Sequence, residues 1–227
     1  CALKCCASIE AFDKGLEIHN DIIQRGLDDD VTIGISVVDM YAKFGSILEG
    51  QSAFNKLKHP SIVAWNALIT GYAEHNCHNE EALNCFKQMQ MKEICPDAIT
   101  YMSILKACDS LSDVERGHEF HQEITWRGFD VDPFIGNTLV NMYAKCGILS
   151  EAQQIFNKLH IRNVISWNAL IAGYAEYGLA MEALDTLEQM TVKKVCPNSV
   201  TYVCALGACG DLRAVNKGQE LYMRIVK

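Results

Sequence analysis

Three asparagines stand at the same position of three related segments of this 227-residue sequence, each inside an otherwise apolar stretch. They are Asn66, Asn137 and Asn168. An amide side chain carries both hydrogen-bond donors and acceptors, so it can recognise a polar ligand or satisfy polar neighbours. Because asparagine is an indifferent helix former, three such occurrences within predicted helices indicate a shared face with a common task.

A metal-dependent active site is the other chemistry that the residue types suggest. The segment His121, Gln122 and Glu123 matches the His-x-Glu half of a zinc cytidine deaminase, but the Pro-Cys-x-x-Cys half is missing from the 227 residues. His121 also recurs as His19 one period earlier and as Tyr222 one period later, so it follows an internal repeat rather than a metal. No glycine-rich phosphate loop is present either. The sequence predicts neither an enzyme nor a cofactor site.

Composition supports a packed chain without a disulfide framework. Hydrophobic residues make up 49% of the sequence and charged residues 21%, and no apolar run is long enough to cross a bilayer. Three of the eleven cysteines, Cys6, Cys108 and Cys209, recur at equivalent positions of like segments. They are therefore interpreted as small interior apolar residues in a reducing compartment, with no metal bound.

An internal repeat organises the whole chain. Residues 65–69 read Trp-Asn-Ala-Leu-Ile and return unchanged at 167–171, an offset of 102 residues from Trp65 to Trp167. The offset drops by one across the turn between His75 and Glu80, where one residue is inserted. Such periods are typical of stacked repeats that bind along a surface. The predicted units are 1–30 (partial), 31–61, 62–97, 98–132, 133–163, 164–198 and 199–227 (partial).

Each unit has the pattern of two amphipathic helices joined by a turn. Trp65, Leu68, Ile69 and Tyr72 fall at i, i+3, i+4 and i+7, which places them on one helical face. No segment alternates with the period of a strand. The pattern predicts an all-helical protein.

Turn residues separate the predicted helices. Gly45, Gly147 and Gly178 follow first helices, where a residue with positive φ commonly ends a helix. Ser112 and Glu115 have the spacing of a capping box at the start of a second helix.

Three strings in this sequence resemble the pentatricopeptide repeat family, and specifically its PLS subfamily of land-plant organelles. Residues 164–175, Val-Ile-Ser-Trp-Asn-Ala-Leu-Ile-Ala-Gly-Tyr-Ala, are similar to the P motif. Residues 135–147, Ile-Gly-Asn-Thr-Leu-Val-Asn-Met-Tyr-Ala-Lys-Cys-Gly, are similar to the S motif, and 101–108, Tyr-Met-Ser-Ile-Leu-Lys-Ala-Cys, to the L motif. The resemblance covers the chain in the order L, S, P, L, S, P, L. It implies an all-α, right-handed α-solenoid of helix-turn-helix repeats, located in a mitochondrion or chloroplast.

The resemblance further implies that each repeat reads one base of single-stranded RNA with two side chains, the fifth residue of its first helix and its last residue. The pair Asn66 and Asp97 is associated with uracil. The two asparagine pairs are associated with cytosine, with tolerance of uracil. In the repeat 31–61, Ile35 and Ser61 are expected to discriminate little. The implied base-selecting pairs are Asn66 with Asp97, Met102 with Asp132, Asn137 with Asn163, and Asn168 with Asn198.

Further contacts are carried over from the family in the same way. With the RNA 5′ end at the amino-terminal repeats, the implied core site is 5′-U-N-Y-Y-3′. Lys43 and Lys145 stand where a phosphate contact is possible, whereas Glu74 and Glu176 fill that place in the P motifs. Expected partners are single-stranded RNA, for C-to-U editing or other processing, and editing-factor proteins or a deaminase domain in trans. The implied base-wedging residues are Val63, Ile99, Phe134 and Ile165.

Two alternatives stay open at this point. Asp97, Asn163 and Asn198 each precede a predicted helix, where Asp and Asn cap free amides whatever the function. The apolar wedge residues are equally consistent with core packing. The formal net charge of −8 also lowers nonspecific affinity for RNA and favours the alternative of a helical scaffold that binds proteins.

Overall fold

The chain is helical throughout the residues that the structure describes. The computed structural model describes residues 2–9, 11–27, 30–75 and 78–226, which form fourteen helices and no strand. In these ranges no helix combines the length and the apolar character that a membrane span requires. The chain divides into two compact units, Cys1–Leu111 and Ser112–Lys227. The turn between His75 and Glu80, where one inserted residue is predicted, includes residues 76–77, which lie outside the described residues.

The first unit is built from successive helical hairpins. Its helices are α1 (Ala2–Ser8), α2 (Phe12–Gln24), α3 (Val31–Lys43), α4 (Ile47–Asn55), α5 (Ile62–Glu74), α6 (Asn79–Met91) and α7 (Ala98–Leu111). The first helices form one layer, since α1 packs on α3, α3 on α5 and α5 on α7. The second helices form the other layer, in which α4 packs on α3 and α5, and α6 packs on α5 and α7.

The second unit repeats this arrangement. Its helices are α8 (Val114–Trp126), α9 (Pro133–Lys145), α10 (Leu149–Lys158), α11 (Val164–Glu176), α12 (Ala180–Val192), α13 (Ser199–Asp211) and α14 (Val215–Val226). The first helices α9, α11 and α13 pack in sequence, and α10 and α12 each contact the first helix on either side.

Side-chain caps mark the starts of several first helices. From α3 onward, first helices start at residues 31, 62, 98, 133, 164 and 199, the positions at which the sequence repeats begin. The side-chain oxygen of Asp30 accepts hydrogen bonds from two backbone amides of α3, and Asp132 does the same for α9. These bonds satisfy amides that have no partner within a helix. The assignment of each repeat to the P, L or S class stays a prediction.

The predicted capping box at Ser112 and Glu115 is wrong. Helix α8 begins at Val114, and its cap is Asp113, whose carboxylate accepts the backbone N–H of Arg116 at 3.0 Å. Ser112 has a φ of +53°, the left-handed conformation of a residue that ends a helix. A residue in that conformation cannot also present its hydroxyl to the next helix, so the cap moves one residue along the chain.

Aromatic pairs hold each hairpin to the next first helix. The predicted apolar face of α5 is buried as expected, and Trp65 meets Phe54 of α4 edge to face with ring centroids 4.6 Å apart. Trp167 and Phe156 repeat this contact in the second unit at 4.7 Å. Each pair buries large apolar area at the same place in its unit, which fixes the stacking of consecutive hairpins.

The glycine turn after α9 is covered by a side chain of the following hairpin. Gly147 has a φ of +77°, and the Tyr177 hydroxyl donates a hydrogen bond to the Lys145 carbonyl at 2.6 Å. In the first unit, His75 takes this place above Gly45, with its Nε2 atom 3.2 Å from the Ala42 carbonyl oxygen.

Replacement of Gly147 by alanine is expected to lower the free energy of unfolding by about 1.5–3 kcal/mol, measured by urea denaturation. A Cβ at this residue would lie 2.7 Å from the Tyr177 ring and would force a left-handed alanine. Gly178→Ala is the matched control, because it has the same positive φ but no atom within 4 Å. Its cost should be about 1 kcal/mol. Equal costs for the two variants would contradict a role for the Tyr177 contact.

Candidate nucleic-acid interface

The first predicted base-selecting pair is joined by hydrogen bonds in the first unit. Asn66 lies buried in α5, and Asp97 precedes α7 in the next repeat. The Asn66 Nδ2 atom donates to both carboxylate oxygens of Asp97, at 3.0 Å each. The amide oxygen of Asn66 accepts the Thr100 hydroxyl at 2.6 Å. Residues 31 positions apart in the sequence thus form one polar cluster.

The last predicted pair forms the same cluster in the second unit. The Asn168 Nδ2 atom donates to Asn198 Oδ1 at 3.0 Å, and the Thr201 hydroxyl donates to Asn168 Oδ1 at 2.6 Å. Asn198 also accepts the backbone N–H of Thr201 at 3.1 Å and caps α13. In these two repeats the last residue, Asp97 or Asn198, therefore serves as a helix cap and as a partner of the fifth residue at once.

The pair Asn137 and Asn163 has no such link. Asn163 caps α11 by accepting the backbone N–H groups of Ile165 and Ser166 at 3.0 and 3.2 Å. The Ser166 hydroxyl donates to the Asn163 backbone carbonyl at 2.9 Å. Within the described part of the chain, the buried Asn137 Oδ1 atom has no hydrogen-bond partner. Asn137 is thus buried in its first helix and Asn163 caps the next one, but no hydrogen bond joins the two side chains in the described structure.

The remaining predicted selectors differ again. Met102 is half-buried on α7 of the first unit, whereas Asp132 caps α9 in the second unit. Ile35 is half-buried on α3, and the Ser61 hydroxyl is buried with no hydrogen-bond partner in the described ranges. None of these four side chains takes part in a cluster like that of Asn66.

The four predicted wedge residues are exposed. The exposed fractions are 58% for Val63, 51% for Ile99, 67% for Phe134 and 60% for Ile165. Large apolar side chains at one repeat position, all facing solvent, do not stabilise a core. Core packing is therefore not the reason for these residues, and that alternative from the sequence is wrong.

A surface groove of about 340 Å³ lies beside Asn66 in the first unit. Its lining includes Val63 and Asn66 of α5 and Ile99 of α7. Lys43 and Glu74 also line it. The groove combines apolar walls with one amide, which is the combination needed to hold a flat polar ring and read its edge.

Charges along the first helices are largely offset by neighbours. The ammonium group of Lys43 lies 3.0 Å from the Asp39 carboxylate one turn earlier. Glu74 lies 4.0 Å from the ammonium group of Lys106. Lys145 is exposed in the last turn of α9, where the residue one turn earlier is Asn141 instead of an acid. Lys43, one of the two predicted phosphate contacts, is therefore already paired with an acid, which the sequence pattern did not indicate.

The His-x-Glu segment has a structural explanation. His121 Nδ1 lies 3.0 Å from the Tyr143 hydroxyl, and His118 Nδ1 lies 2.9 Å from the same oxygen. Burial, followed by the nearby His118, lowers the pKa of His121. His19 and Tyr41 form the equivalent contact in the first unit, at 2.7 Å. Among the described residues no group of three or more His, Cys, Asp or Glu side chains is arranged to hold a metal ion.

The sequence matches a known family of repeat proteins. The model of the PPR repeat family matches residues 60–109 and 162–211, and a model of the single PPR repeat matches 137–164. Both models describe a repeat rather than a catalytic domain. Two Arabidopsis thaliana proteins named as pentatricopeptide repeat-containing are 36% and 34% identical over 94% and 96% of this chain, and the name of the second describes it as chloroplastic. This chain spans only 30% and 26% of their lengths.

Solved structures show the same fold. The crystal structure of PPR10 from maize superposes with a TM-score of 0.68 at 21% identity, covering 84% of this chain and 28% of that one. This likeness confirms the predicted all-helical solenoid fold. A second structure of PPR10 contains an 18-nucleotide psaJ RNA element and superposes with a TM-score of 0.42 at 19% identity, covering 93% of this chain and 42% of that one.

Ile99→Ala should change the free energy of unfolding by less than about 0.5 kcal/mol, measured by urea denaturation, because the side chain is 51% exposed. The matched control is Ile69→Ala in the same unit, where the side chain is fully buried. That variant should lose about 2–5 kcal/mol. A comparable loss of unfolding free energy in both variants would show that Ile99 packs in the core.

Proposed function

This chain belongs to the pentatricopeptide repeat family, and we propose on that premise that it recognises single-stranded RNA in a sequence-specific manner, about one base per repeat. One observation supports this most directly. The pairs Asn66 with Asp97 and Asn168 with Asn198 are each brought together from about a repeat apart, and each joined pair stands among exposed apolar residues. A purely structural cap requires neither the amide partner nor the exposed neighbours.

The proposed base preference depends on the last residue of each repeat, and specifically on its side-chain atom that faces away from the fifth residue. Asn198 turns its Oδ1 atom toward the amide of Asn168 and the backbone N–H of Thr201, because both are donors. Its Nδ2 group therefore faces away, where it can donate to the N3 acceptor of cytosine. Asp97 has only acceptors, and Asp97 can accept the N3–H donor of uracil. The preferred pyrimidine thus depends on whether this outward group is a donor, as in Asn198, or an acceptor, as in Asp97.

The other two repeats should discriminate less strongly between bases. Asn137 and Asn163 carry the groups of a cytosine-preferring pair without the bond between them, so this repeat should accept both pyrimidines more evenly. Met102 offers no donor or acceptor of comparable strength, so its repeat should accept any base. The proposed site is therefore U-N-Y-Y, read from the 5′ end by the repeats 62–97, 98–132, 133–163 and 164–198.

Affinity from the phosphate backbone should be modest. The chain has a formal net charge of −8, and Lys43 is already paired with Asp39. Backbone contacts supply most nonspecific affinity, whereas base contacts supply discrimination. A chain with a net negative charge should therefore depend on contacts with the RNA bases for its affinity more than a basic chain does.

The biological use that we propose is selection of a site for C-to-U editing or other RNA processing in a mitochondrion or chloroplast. The support is the L, S, P order of the repeats, which resembles the PLS subfamily. The deamination itself would come from another domain or from a partner, such as a deaminase acting in trans, because the matched segments of this chain are repeats rather than a catalytic domain.

A protein-binding scaffold is the second candidate. It is favoured by the acidic net charge and by Trp126 of α8, which is 83% exposed with the Arg127 guanidinium 5.8 Å from its ring centroid. Exposed aromatic and arginine side chains are enriched at protein interfaces. Failure of the folded chain to retain any RNA would favour this role.

The test of the proposed function is selection from a randomised single-stranded RNA pool at low salt, followed by sequencing of the retained molecules. The wild-type chain should enrich U-N-Y-Y. Asp97→Asn should change the first base from U to C and leave the other three unchanged, because the outward acceptor becomes a donor.

Asp113→Asn is the control for this change, since Asp113 caps the second helix α8 rather than a first helix. This variant should leave every base preference as it is. An unchanged first base in Asp97→Asn, together with a loss of stability, would reduce Asp97 to a helix cap.

Glu176→Lys should strengthen binding to all RNA sequences alike, because Glu176 is exposed at the end of α11, where Lys43 and Lys145 stand in other repeats. The slope of log affinity against log salt should steepen by about 0.7 for one added phosphate contact. Asp185→Lys makes the same charge change on the second helix α12 and should leave the slope nearly unchanged. Equal effects of the two variants would show that only net charge matters.

A further inference from the structure

Two threonines connect the base-selecting side chains with the start of the next helix. Thr100 and Thr201 are the third residues of the repeats that follow Asn66 and Asn168, and both are fully buried. Neither is a predicted base contact. Each hydroxyl nevertheless lies within hydrogen-bond distance of both members of a proposed base-selecting pair.

The acceptors around each threonine hydroxyl determine where its proton points. The Thr100 oxygen accepts the backbone N–H of Asp97 at 3.2 Å, so one of its lone pairs is occupied. Its single proton has two acceptors in reach, Asn66 Oδ1 at 2.6 Å and Asp97 Oδ1 at 3.0 Å. The Asn66 oxygen is the nearer of the two, so the hydroxyl is placed to donate to it. Thr201 repeats this arrangement with the same two distances, to Asn168 and Asn198.

This arrangement fixes the orientation of the amide. An asparagine side chain can rotate by half a turn and exchange its oxygen and nitrogen with almost no change of shape. At Asn66, a donor faces the oxygen and a carboxylate faces the nitrogen, so the rotated form would set an N–H against the hydroxyl proton and an oxygen against the carboxylate. One orientation is therefore strongly preferred. An amide held in this way presents a fixed set of donors and acceptors to a bound base.

The repeat 133–163 shows what happens without the threonine. Ser166 occupies the corresponding position, but its hydroxyl donates to the backbone carbonyl of Asn163. In the described structure, Asn137 Oδ1 is left buried with no partner. No group fixes the orientation of this amide.

Two further junctions agree with this pattern. After Ile35 the third residue of the next repeat is Ala64, and after Met102 it is Ile135. Where no amide needs orientation, no hydroxyl is present.

Helix capping alone does not explain the threonines. The capping box of α13 consists of the bonds between Asn198 and Thr201, which satisfy the free amides at the helix start. The bond from Thr201 to Asn168, in the preceding first helix, adds nothing to that box. It is also the shortest of the bonds made by this hydroxyl.

We propose that Thr100 and Thr201 are positioning residues that orient the base-selecting amides of the preceding repeats and so determine how sharply those repeats discriminate between bases. This rests on the proposed RNA-binding function.

The test compares wild type, Thr201→Val and Thr201→Ser in binding to four RNAs that differ only in the fourth base of the site. Valine keeps the shape and removes the hydroxyl, whereas serine keeps the hydroxyl. Loss of one hydrogen bond should reduce discrimination at the fourth base by roughly three- to tenfold in Thr201→Val. Discrimination at the first base, read by Asn66 and Asp97, should be retained, and Thr201→Ser should discriminate like wild type.

The outcomes separate the possible roles. If Thr201→Val lowers the stability of the chain but keeps its fourth-base discrimination, Thr201 is only part of a cap and the proposal is wrong. If the wild-type chain binds RNA without discriminating at any position, the proposed function fails before the threonine matters.

A gain-of-function variant makes the test independent of any loss of stability. Ser166→Thr introduces the missing threonine next to Asn137 and Asn163. Discrimination at the third base should rise several-fold toward that at the fourth, with the other positions unchanged. A folded Ser166→Thr chain whose third-base discrimination stays at the wild-type value would contradict the proposal.

Discussion

The free backbone amides at the start of each first helix are the constraint on which the candidate site depends. A helix start needs an acceptor, and before α7, α11 and α13 the acceptor is the last side chain of the preceding repeat, namely Asp97, Asn163 and Asn198. Because the cap must stand at the helix terminus, it is held rigidly at a fixed place in the repeat. In two of the repeats this place lies within hydrogen-bond distance of an amide on the preceding first helix. A requirement of the backbone thus positions a group that can recognise a ligand.

Packing between hairpins holds each candidate site in place within its unit. The contacts of Trp65 with Phe54 and of Trp167 with Phe156 fix how one hairpin stacks on the next. Tyr177 adds a polar bond to the carbonyl of Lys145 at the opposite end of the first helix. Since adjacent first helices are held at both ends, the fifth residue of one and the cap of the next keep their separation. Rigid support of this kind is what a base-selecting pair requires.

The acidity of the chain and the geometry of the site are compatible when affinity and specificity are considered separately. Ion pairs such as that of Lys43 with Asp39 remove cations that would otherwise attract any nucleic acid. The groove beside Asn66 still offers apolar walls and an amide. A surface built in this way favours discrimination over tight nonspecific binding. The difference between the Asn168 and Asn137 clusters shows that repeats of similar sequence need not be equally organised.

The sequence alone determined the helical repeat, the helix starts that follow Asp132 and Asn163, and the residue types of the proposed base-selecting pairs. These features depend on local rules: a 3.6-residue period, and a cap within three residues of the amides that it satisfies. A local rule failed at Ser112, where the end of one helix and the start of the next compete for the same residue.

Only the tertiary structure decided which pairs are joined. Asn66 and Asp97 are 31 positions apart, and their contact depends on how two first helices stack, as does the bond from Thr100. Asn168 is bonded to Asn198 and to the Thr201 hydroxyl, whereas the hydroxyl of Ser166 donates to a backbone carbonyl and leaves the Asn137 amide oxygen unpartnered among the described residues. Their different hydroxyl directions are set by the packed neighbours, and no local pattern in the sequence contains that information.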